Sequence, residues 1–485
     1  MLLNYRLILK IIAAVLVILG LSMIPPIILS FYYSESSIVF IIPAIILIAS
    51  GLIILYINKP KSLDLKIRDG LLIVALCWII ASLFGSLPFI ISGVIPGFAD
   101  AIFESTSGFT TTGGSVLSDV ESPPNGIIFW RSFTHWLGGM GILLLTIALL
   151  PSLGISGQRL IDAEASGPNI DKFTSKMSDS AKLIYIMYIG MTIVETVLLM
   201  LGGLDFFDSI IHAFGTVSTG GFSSYNNSIA HFDSIYVELV ICIFMIMAGT
   251  NFNLYFVAIR SKFKNIFRDG EYRAYLMIIF GSTIVLTIQL LYFGPKNSFL
   301  ESLRHSFFQA VSILSTTGYT TSDFNIWPTA CKSIIFMLMF IGGSSSSASG
   351  AVKTVRVLVL LKLIRRGIYK RLHPTAVVPI KLNNKNVSSN SVSNITSFLF
   401  LYISLLLVST LIVSLDQVDI MTAATAAAAC LGNIGPGFEM VGPMSDYSFF
   451  SGPIKLYLSF LMIAGRLEIF TVLLLFTAKF WDPDR

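Results

Sequence analysis

Four glycine-centred segments recur along this chain, each between two strongly apolar stretches. They are Thr111-Thr112-Gly113, Ser218-Thr219-Gly220, Thr316-Thr317-Gly318 and Asn433-Ile434-Gly435. The four glycines are 107, 98 and 117 residues apart, so a unit of about a hundred residues is repeated four times. Non-helical backbone within an apolar region is tolerated only where it is buried in protein or lines a water-filled cavity. The pattern therefore predicts four copies of one unit around a common cavity.

The composition is that of a membrane protein. Of 485 residues, 54% are hydrophobic and only 12% are charged, and the mean hydropathy is +0.81, far from the values of soluble domains. A span needs about 20 apolar residues. Runs of that kind occupy 7–29, 37–57, 71–91, 127–150, 181–201, 235–259, 274–293, 333–364, 397–415 and 454–480. We predict an all-α polytopic membrane protein with ten spans, the interrupted run 333–364 counted as one.

The repeat divides the chain into five parts. Two N-terminal helices (1–69) precede pore repeats at 70–160, 161–268, 269–385 and 386–485. In each repeat a stretch too short to span the bilayer stands before the glycine segment, at 99–107, 206–216, 299–314 and 418–430. Acidic or hydroxyl residues near the outer starts suit helix N-termini; they are Asp100, Asp205, Asp208, Ser298, Glu301, Asp416 and Asp419. These stretches are predicted to be re-entrant half-helices with their C-terminal ends pointing inward.

The glycine segments that follow the half-helices are predicted to form an ion filter. The partial negative charge at a helix C-terminus favours a cation, and main-chain carbonyl oxygens can replace a cation's hydration shell. Glycine supplies the backbone conformations that residues with a Cβ rarely adopt. In the fourth segment Asn433 and Ile434 replace the Ser and Thr of the others, which main-chain ligation tolerates but which weakens the case for side-chain ligation there.

Basic residues predict the orientation, because connections rich in Lys and Arg stay in the cytoplasm. The filter-bearing connections 92–126, 202–234 and 416–450 contain no Lys or Arg, and 294–332 contains three. The other connections hold clusters of basic residues, at 59–68, 159–182, 260–273 and 362–385. The filters are therefore predicted to face outside, with both termini in the cytoplasm. The net charge of +5 reflects these clusters and does not indicate nucleic-acid binding.

The filter segments resemble those of a known family. Segments 104–114 (ESTSGFTTTGG), 215–222 (GTVSTGGF), 312–319 (SILSTTGY) and 431–437 (LGNIGPG) are similar to the bacterial Trk/Ktr potassium transporters and their plant HKT relatives. The two additional N-terminal helices are similar to those of the TrkH-type subunit of this family. The resemblance implies a pseudo-fourfold pore for K⁺, with Rb⁺ and Na⁺ as further candidate ions, in the bacterial inner membrane. It also implies a homodimer and a cytoplasmic ring of nucleotide-binding regulatory subunits.

Nine small residues interrupt the apolar run 333–364. They are Gly342, Gly343, Ser344, Ser345, Ser346, Ser347, Ala348, Ser349 and Gly350. Helix propensity disfavours such a run, so we predict a helix break there. The family resemblance implies an intramembrane gating loop beneath the filter in the third repeat. The alternative is a small-residue surface for close helix packing.

Arg466 stands near the middle of the last apolar run. A lone charge within the bilayer is costly, so the side chain is expected to face the pore or a carboxylate. The resemblance implies an electrostatic barrier to cations below the filter; the alternative is a buried ion pair with Glu195 or another carboxylate. Glu468 is a poor partner because residues two apart do not share a helix face. Lys353 and Arg356 are predicted to be anchors at the inner boundary.

Other functional classes find little support in the sequence. The five histidines are scattered, and no Ser-His-Asp arrangement, phosphate-binding loop or dinucleotide fingerprint is present, so neither an enzyme nor a covalently bound cofactor is expected. Two rivals remain open. One is an ion-coupled secondary transporter with broken helices and a midplane site, and the other is a non-conducting membrane scaffold.

Overall fold

The computed structural model describes residues 3–58, 60, 65–141, 177–260, 263–294, 298–383 and 385–482. Over this part of the chain the backbone is mostly helical, and its strands are two residues long. Six of the described helices are long and apolar enough to cross a membrane, and one bent pair would make a seventh. The predicted all-α polytopic membrane fold is therefore confirmed.

Two N-terminal segments stand ahead of the repeats. The first consists of helices Tyr5–Leu21 and Ile24–Tyr32, and the second of helix Ile38–Ile57. Two prolines occupy the first turn of Ile24–Tyr32, where a missing N–H breaks no helical hydrogen bond. The loop after them supplies Glu35, whose carboxylate accepts hydrogen bonds from the main-chain N–H groups of Asn125 and Gly126 at 2.7 and 2.8 Å. The N-terminal pair is thereby fixed to the first repeat.

The rest of the described chain has four consecutive units of similar element order. We call the elements outer helix, pore helix and inner helix, numbered by unit. The outer helices are Ile67–Gly85 with Leu87–Ile91, Met177–Leu201, Gly270–Phe293 and Ser389–Val413. The pore helices are Phe98–Phe109, Phe206–Val217, Phe299–Leu314 and Ile420–Gly432, and every boundary lies within two residues of the predicted half-helices. The inner helices are Asn125–Gly139, Ile235–Ala248 with Phe252–Arg260, Thr329–Met339 with Thr354–Leu372, and Gly452–Arg466 with Phe470–Leu475.

The inner helices explain why fewer long helices are seen than predicted. Inner helix 2 bends by 93° between Ala248 and Phe252. Inner helix 3 is interrupted for fourteen residues after Met339, and inner helix 4 breaks after Arg466. Part of the predicted run 127–150, the boundary predicted at 160 and the basic residues Arg159, Lys172 and Lys176 lie outside the described residues. The repeat boundaries themselves stay predictions.

Short elements complete the described chain. The 3₁₀ turns are Ser228–Phe232, Phe263–Arg268, Phe324–Ile326, Ser414–Asp416 and Glu439–Val441, and a final helical turn is Ala478–Trp481. Ile341–Gly342 pairs in parallel with Val352–Lys353, which closes the interruption of inner helix 3 at its base. A second pair, Lys381–Leu382 with Lys385–Asn386, is antiparallel and links inner helix 3 to outer helix 4.

The pore-helix starts partly match the expected capping. Asp205 and Asp419 each accept a hydrogen bond from the main-chain N–H three residues further on, at 2.8 and 2.9 Å. Asp416 was predicted to serve the start of pore helix 4, and this prediction is wrong. Its carboxylate accepts from the main-chain N–H and hydroxyl of Ser451, both at 2.7 Å, at the start of inner helix 4.

Candidate functional site

Each pore helix ends in the same turn. The main-chain N–H of one residue after the helix donates to the carbonyl five residues earlier, as in a Schellman C-cap. These bonds are Thr112 to Ser107 (2.9 Å), Gly220 to Gly215 (2.8 Å), Thr317 to Ser312 (2.9 Å) and Ile434 to Ala429 (2.9 Å). The chain direction at the exit of each pore helix is therefore fixed by the repeat's own backbone.

The turn holds two residues with positive φ, two positions apart. The first is Thr111, Thr219, Thr316 or Asn433, with φ of 56°, 58°, 60° and 52°. The second is Gly113, Gly221, Gly318 or Gly435, with φ of 85°, 79°, 85° and 97°. A β-branched threonine in the left-handed region is unusual and costs on the order of 1 kcal/mol. Three such threonines at equivalent positions indicate that this conformation is needed.

This geometry corrects the sequence alignment of the second repeat. The predicted triplet Ser218-Thr219-Gly220 is one residue too early, because Gly221 and not Gly220 has the conformation of Gly113. Gly220 occupies the middle position of the turn, and Ser218 precedes it as the C-cap of pore helix 2. An aromatic residue follows the glycine in the second and third repeats, Phe222 and Tyr319, and favours this register, but Gly114 and Pro436 follow the glycine in the other two.

The four turns close into a ring. A Cβ built on Gly113 would lie 2.2 Å from the carbonyl oxygen of Gly220, so no other residue fits there. The same close approach joins each turn to the next: Gly221 to Thr317 O (1.9 Å), Gly318 to Ile434 O (2.0 Å) and Gly435 to Thr112 O (2.7 Å). The last contact returns to the first repeat. The carbonyls of the four middle residues, Thr112, Gly220, Thr317 and Ile434, therefore belong to one closed circle of backbone.

The ring forms the floor of an open cleft. The cleft has a volume of about 130 Å³, and all four positive-φ glycines line it. Its walls come from the segments that follow the turns, including Ser115, Asn226 and Asp446. Here the phenol of Tyr447 donates to the carbonyl of Gly435 at 2.7 Å. The twelve predicted filter residues thus lie at or beside the ring, with Ser218 the farthest from it along the turn.

The interruption of inner helix 3 lies directly against the ring. Residues 342–350 are not helical, as predicted, which excludes a continuous packing helix there. The main-chain N–H of Gly350 donates to the hydroxyl of Thr316 at 2.7 Å. A Cβ built on Gly350 would lie 2.3 Å from the carbonyl oxygen of Gly432, the last residue of pore helix 4. We call residues 342–350 the intramembrane loop.

The break in inner helix 2 receives this loop. The N–H groups of Ser344 and Ala348 donate to the carbonyls of Gly249 (2.8 Å) and Ala248 (3.2 Å), and Phe252 N–H donates to Ser346 O (3.2 Å). A helix that ends leaves carbonyls without internal partners, and here the loop satisfies two of them. The loop that interrupts inner helix 3 therefore supplies hydrogen-bond donors to the break in inner helix 2.

Arg466 joins the loop to the ring. Its guanidinium donates to Ala348 O (2.7 Å), to the Thr111 hydroxyl (3.2 Å) and to the carbonyls of Gly138 (3.0 Å) and Gly139 (2.9 Å). Thr111 is the first positive-φ residue of the turn in the first repeat, and the two glycines end inner helix 1. The charge therefore lies beside the ring, among oxygen atoms of the first and third repeats. We refer below to the four turns of the ring as the filter turns, after their predicted role.

The two carboxylates considered as partners of Arg466, Glu195 and Glu468, have other environments. Both oxygens of Glu195 are buried without a hydrogen-bond partner in the described part of the chain, so the suggested pair with Arg466 is not seen. Glu468 pairs with Arg356 instead. Arg356 is 4% exposed and its guanidinium lies 4.0 Å from the centre of the Phe398 ring. The prediction of Arg356 as an anchor at the boundary is wrong, because the side chain is buried in an ion pair.

Comparisons with known proteins agree with this architecture. The family model of TrkH, described as a cation transport protein, matches residues 36–483. The Trk system potassium uptake protein TrkH of Halomonas elongata is 35% identical over 99% of both chains, and that of Escherichia coli K12 is 34% identical over 99% of both. The chain belongs to the TrkH family. The crystal structure of the potassium transporter TrkH from Vibrio parahaemolyticus matches 99% of this chain and 100% of its own, with a TM-score of 0.89 and 32% identity.

Two charged groups of this TrkH-family site escaped the sequence analysis. Glu271, in the first turn of outer helix 3, is 5% exposed. Its carboxylate accepts from the N–H and hydroxyl of Ser345 at 2.6 and 2.7 Å and from Val355 N–H at 3.2 Å, so it connects the intramembrane loop to the first turn of the helix that follows it. The second group is the ion pair of Glu104 with Arg131. Arg131 is a charge within an apolar run, the same signal that singled out Arg466.

Proposed function

We propose that this chain is the ion-conducting subunit of a bacterial potassium uptake system, with a selective and gated channel-like pore. The observation that carries the proposal is the ring of filter turns closed by Gly435 against Thr112 O. A ring of main-chain carbonyls is the arrangement that replaces the hydration shell of K⁺ in known filters. The relatives of this chain in Halomonas elongata and Escherichia coli carry the name of potassium uptake proteins.

In this proposal K⁺ is the transported substrate and is held by main-chain oxygens of the four turns. Rb⁺, of similar size, would pass as well, and Na⁺ would pass less readily. Each turn has one glycine of positive φ, whereas longer filters with two glycines form more rings of oxygen. Discrimination against Na⁺ is therefore expected to be weaker than in such filters.

Gating is assigned to the intramembrane loop and Arg466. The loop contacts the ring through Gly350 and Thr316, so an ion leaving the filter would meet it. Arg466 places a positive charge beside Thr111, where it would oppose the passage of a cation. A shift of the loop would break its contact with Arg466 at Ala348, so the position of the loop and that of the charge are coupled.

The location proposed is the bacterial inner membrane, with the filters facing outside and both termini in the cytoplasm. Support comes from the distribution of Lys and Arg, because the connections that carry filters have few or none. On the opposite side, the end of inner helix 3 exposes several basic residues, among them Arg365, Lys370 and Arg371.

The partners proposed are a second copy of this chain, membrane lipids and a cytoplasmic ring of nucleotide-binding regulatory subunits. The exposed basic surface that follows the intramembrane loop, including the strand pair at Lys381 and Lys385, favours an acidic partner on the cytoplasmic side. Crosslinking in native membranes tests the homodimer, and co-purification of a soluble nucleotide-binding protein tests the ring.

Ion flux through the purified protein in liposomes tests the proposed function. Parallel vesicles containing K⁺, Rb⁺, Na⁺ or Li⁺ are assayed under an imposed gradient. We expect passive flux that follows the electrochemical gradient, in the order K⁺ and Rb⁺ above Na⁺ and Li⁺. Saturable flux that requires a second ion or a proton gradient would instead establish a coupled transporter, and no flux of any of the four ions would support a scaffold.

A further inference from the structure

A buried ion pair stands behind the first two filter turns. The Nε of Arg131, on inner helix 1, lies 2.6 Å from Oε1 of Glu104, on pore helix 1, and their side chains are 3% and 0% exposed. The Glu104 carboxylate also accepts from Val116 N–H at 2.8 Å and from the Ser115 hydroxyl at 3.0 and 3.1 Å. Ser115 comes two residues after the glycine of the first turn, so Glu104 fixes the exit of that turn.

Arg131 reaches the exit of the second turn. One terminal nitrogen of Arg131 donates to the carbonyl of Ser223 at 3.0 Å. The guanidinium carbon lies 3.5 Å from the centre of the Phe222 ring, which also stacks with His135 at 4.0 Å. Phe222 directly follows Gly221, the ring glycine of that repeat. The ion pair therefore bridges the exits of two neighbouring filter turns.

Two tyrosines extend this bridge to the other repeats. The main-chain N–H of Tyr447 donates to Ser115 O at 2.8 Å, while its phenol binds the carbonyl of Gly435 in the fourth turn. The phenol of Tyr319, which directly follows the third turn, donates to Phe222 O at 3.1 Å. The pair thus lies at the centre of a chain of contacts around the outer side of the ring.

The four repeats differ at the position of Glu104. Seven residues before the first positive-φ residue, the pore helices carry Glu104, His212, Gln309 and Ala426. His212 bonds the Ser223 hydroxyl at 3.0 Å, but the amide nitrogen of Gln309 has no partner in the described residues. A buried carboxylate therefore secures the turn exit in the first repeat alone among these four positions.

We propose that the Glu104–Arg131 pair is the positioning element that sets the selectivity of the filter for K⁺ over Na⁺. The pair holds the exits of two turns at a fixed separation, so the carbonyl ring is hindered from contracting around the smaller ion. Hydrogen bonds between ionised groups are shorter and roughly twice as strong as those between neutral groups. Glu104 and Arg131 act through the turns they hold and are not ion ligands. This inference rests on the proposed function of the filter.

The test compares permeability ratios of variants in bilayers under bi-ionic K⁺ and Na⁺ conditions. Glu104→Gln keeps the size of the side chain and removes its charge, and we expect the K⁺/Na⁺ ratio to fall about tenfold. Arg131→Lys keeps the charge, but a single ammonium cannot bridge Glu104 and Ser223 in the same fork geometry. An intermediate fall is expected for Arg131→Lys.

Glu238→Gln is the matched control. Glu238 is a second buried carboxylate, held by Arg304 at 2.7 Å on a different pair of helices, and its loss is expected to leave the ratio unchanged. Monodisperse Glu104→Gln or Arg131→Lys protein with the wild-type ratio would overturn the proposal, and if Glu104→Gln does not fold, Arg131→Lys decides. A ratio lowered equally by Glu238→Gln would overturn it too. Wild-type protein that passes no K⁺ would overturn the proposed function, and this inference with it.

Discussion

The filter turns and the intramembrane loop lie in contact, yet different forces hold them. Every filter turn is fixed by a hydrogen bond within its own repeat, between main-chain groups five residues apart. The loop is held from outside, by Gly249 of inner helix 2, Glu271 of outer helix 3 and Arg466 of inner helix 4. The conformation of each turn is thus set within its own repeat, whereas the position of the loop depends on contacts with other repeats.

This difference indicates which part is rigid and which can move. Positive-φ residues other than glycine persist only where the surrounding structure holds them, and each turn is held by its own hydrogen bond and by the neighbouring turn. The side chains that hold the loop, Glu271 and Arg466, do so through a few hydrogen bonds of about 1.5–3 kcal/mol each, so a shift of the loop has to break those contacts. Selectivity should therefore respond to changes in the ring, and flux to changes in the contacts of the loop.

The largest effect is expected from Gly318→Ser, which disturbs the close contact between two turns of the ring. A Cβ at this position would lie 2.0 Å from the carbonyl oxygen of Ile434, and the residue has φ of 85°. If strain of about 1–3 kcal/mol acts on the K⁺-bound form of the ring, K⁺/Na⁺ selectivity falls about fivefold to 150-fold. The reversal potential under bi-ionic conditions measures it.

Gly281→Ser provides the control for that substitution. Gly281 lies within outer helix 3, and a Cβ built there meets no atom within 4 Å. Selectivity of the control should equal that of the wild type. If Gly318→Ser protein keeps the wild-type ratio, the ring does not select ions.

Much of this architecture could be predicted from the sequence, because its signals are local. Apolar runs give the helices, and Gly318 with its neighbouring threonines marks a turn whose conformation needs glycine. The register of the second turn could not be derived from spacing alone, since Gly220 and Gly221 are adjacent and both are glycine. The choice between them depends on which one meets Thr317 O in the next repeat, a contact formed only in the folded ring.

Arg466→Ala tests whether the contacts of the loop control ion flux. Four oxygen atoms, including Ala348 O and the Thr111 hydroxyl, lose a charged donor, and the barrier charge is lost with it. Removal of a unit charge a few ångströms from the ion lowers the barrier by a few kcal/mol at most, so we expect cation flux to rise about tenfold with selectivity little changed. Stopped-flow or radiotracer flux in liposomes gives the rate.

Arg365→Ala serves as its control, because Arg365 is exposed on the second segment of inner helix 3. Flux through this variant should match the wild type. Unchanged or reduced flux in Arg466→Ala, with protein of normal stability, would remove the arginine from the gating mechanism.

The partners of the loop show where sequence reasoning ends. Arg466 was identifiable as a charge in an apolar run, but its oxygen partners come from positions more than 100 residues away in the chain. Glu271 gave no signal, since an acidic residue in the first turn of a helix is usual. Its role follows from the contact between Ser345 of the loop and outer helix 3. This is a tertiary contact that neither periodicity nor composition encodes.

The smallest effect is expected from Glu271→Gln. This substitution weakens the contacts of the loop and leaves those of the ring unchanged, so it tests whether the two are held separately. Glutamine keeps the size and one acceptor oxygen, but the hydrogen bonds to Ser345 and Val355 lose the negative charge that strengthens them. With about 1 kcal/mol lost from the closed arrangement, flux should rise about threefold to fivefold, and the K⁺/Na⁺ ratio should stay as in the wild type. Glu301→Gln, an exposed carboxylate in the first turn of pore helix 3, is the control. A fall in selectivity with no gain in flux would mean that Glu271 supports the filter, and that the loop and the ring are not held separately.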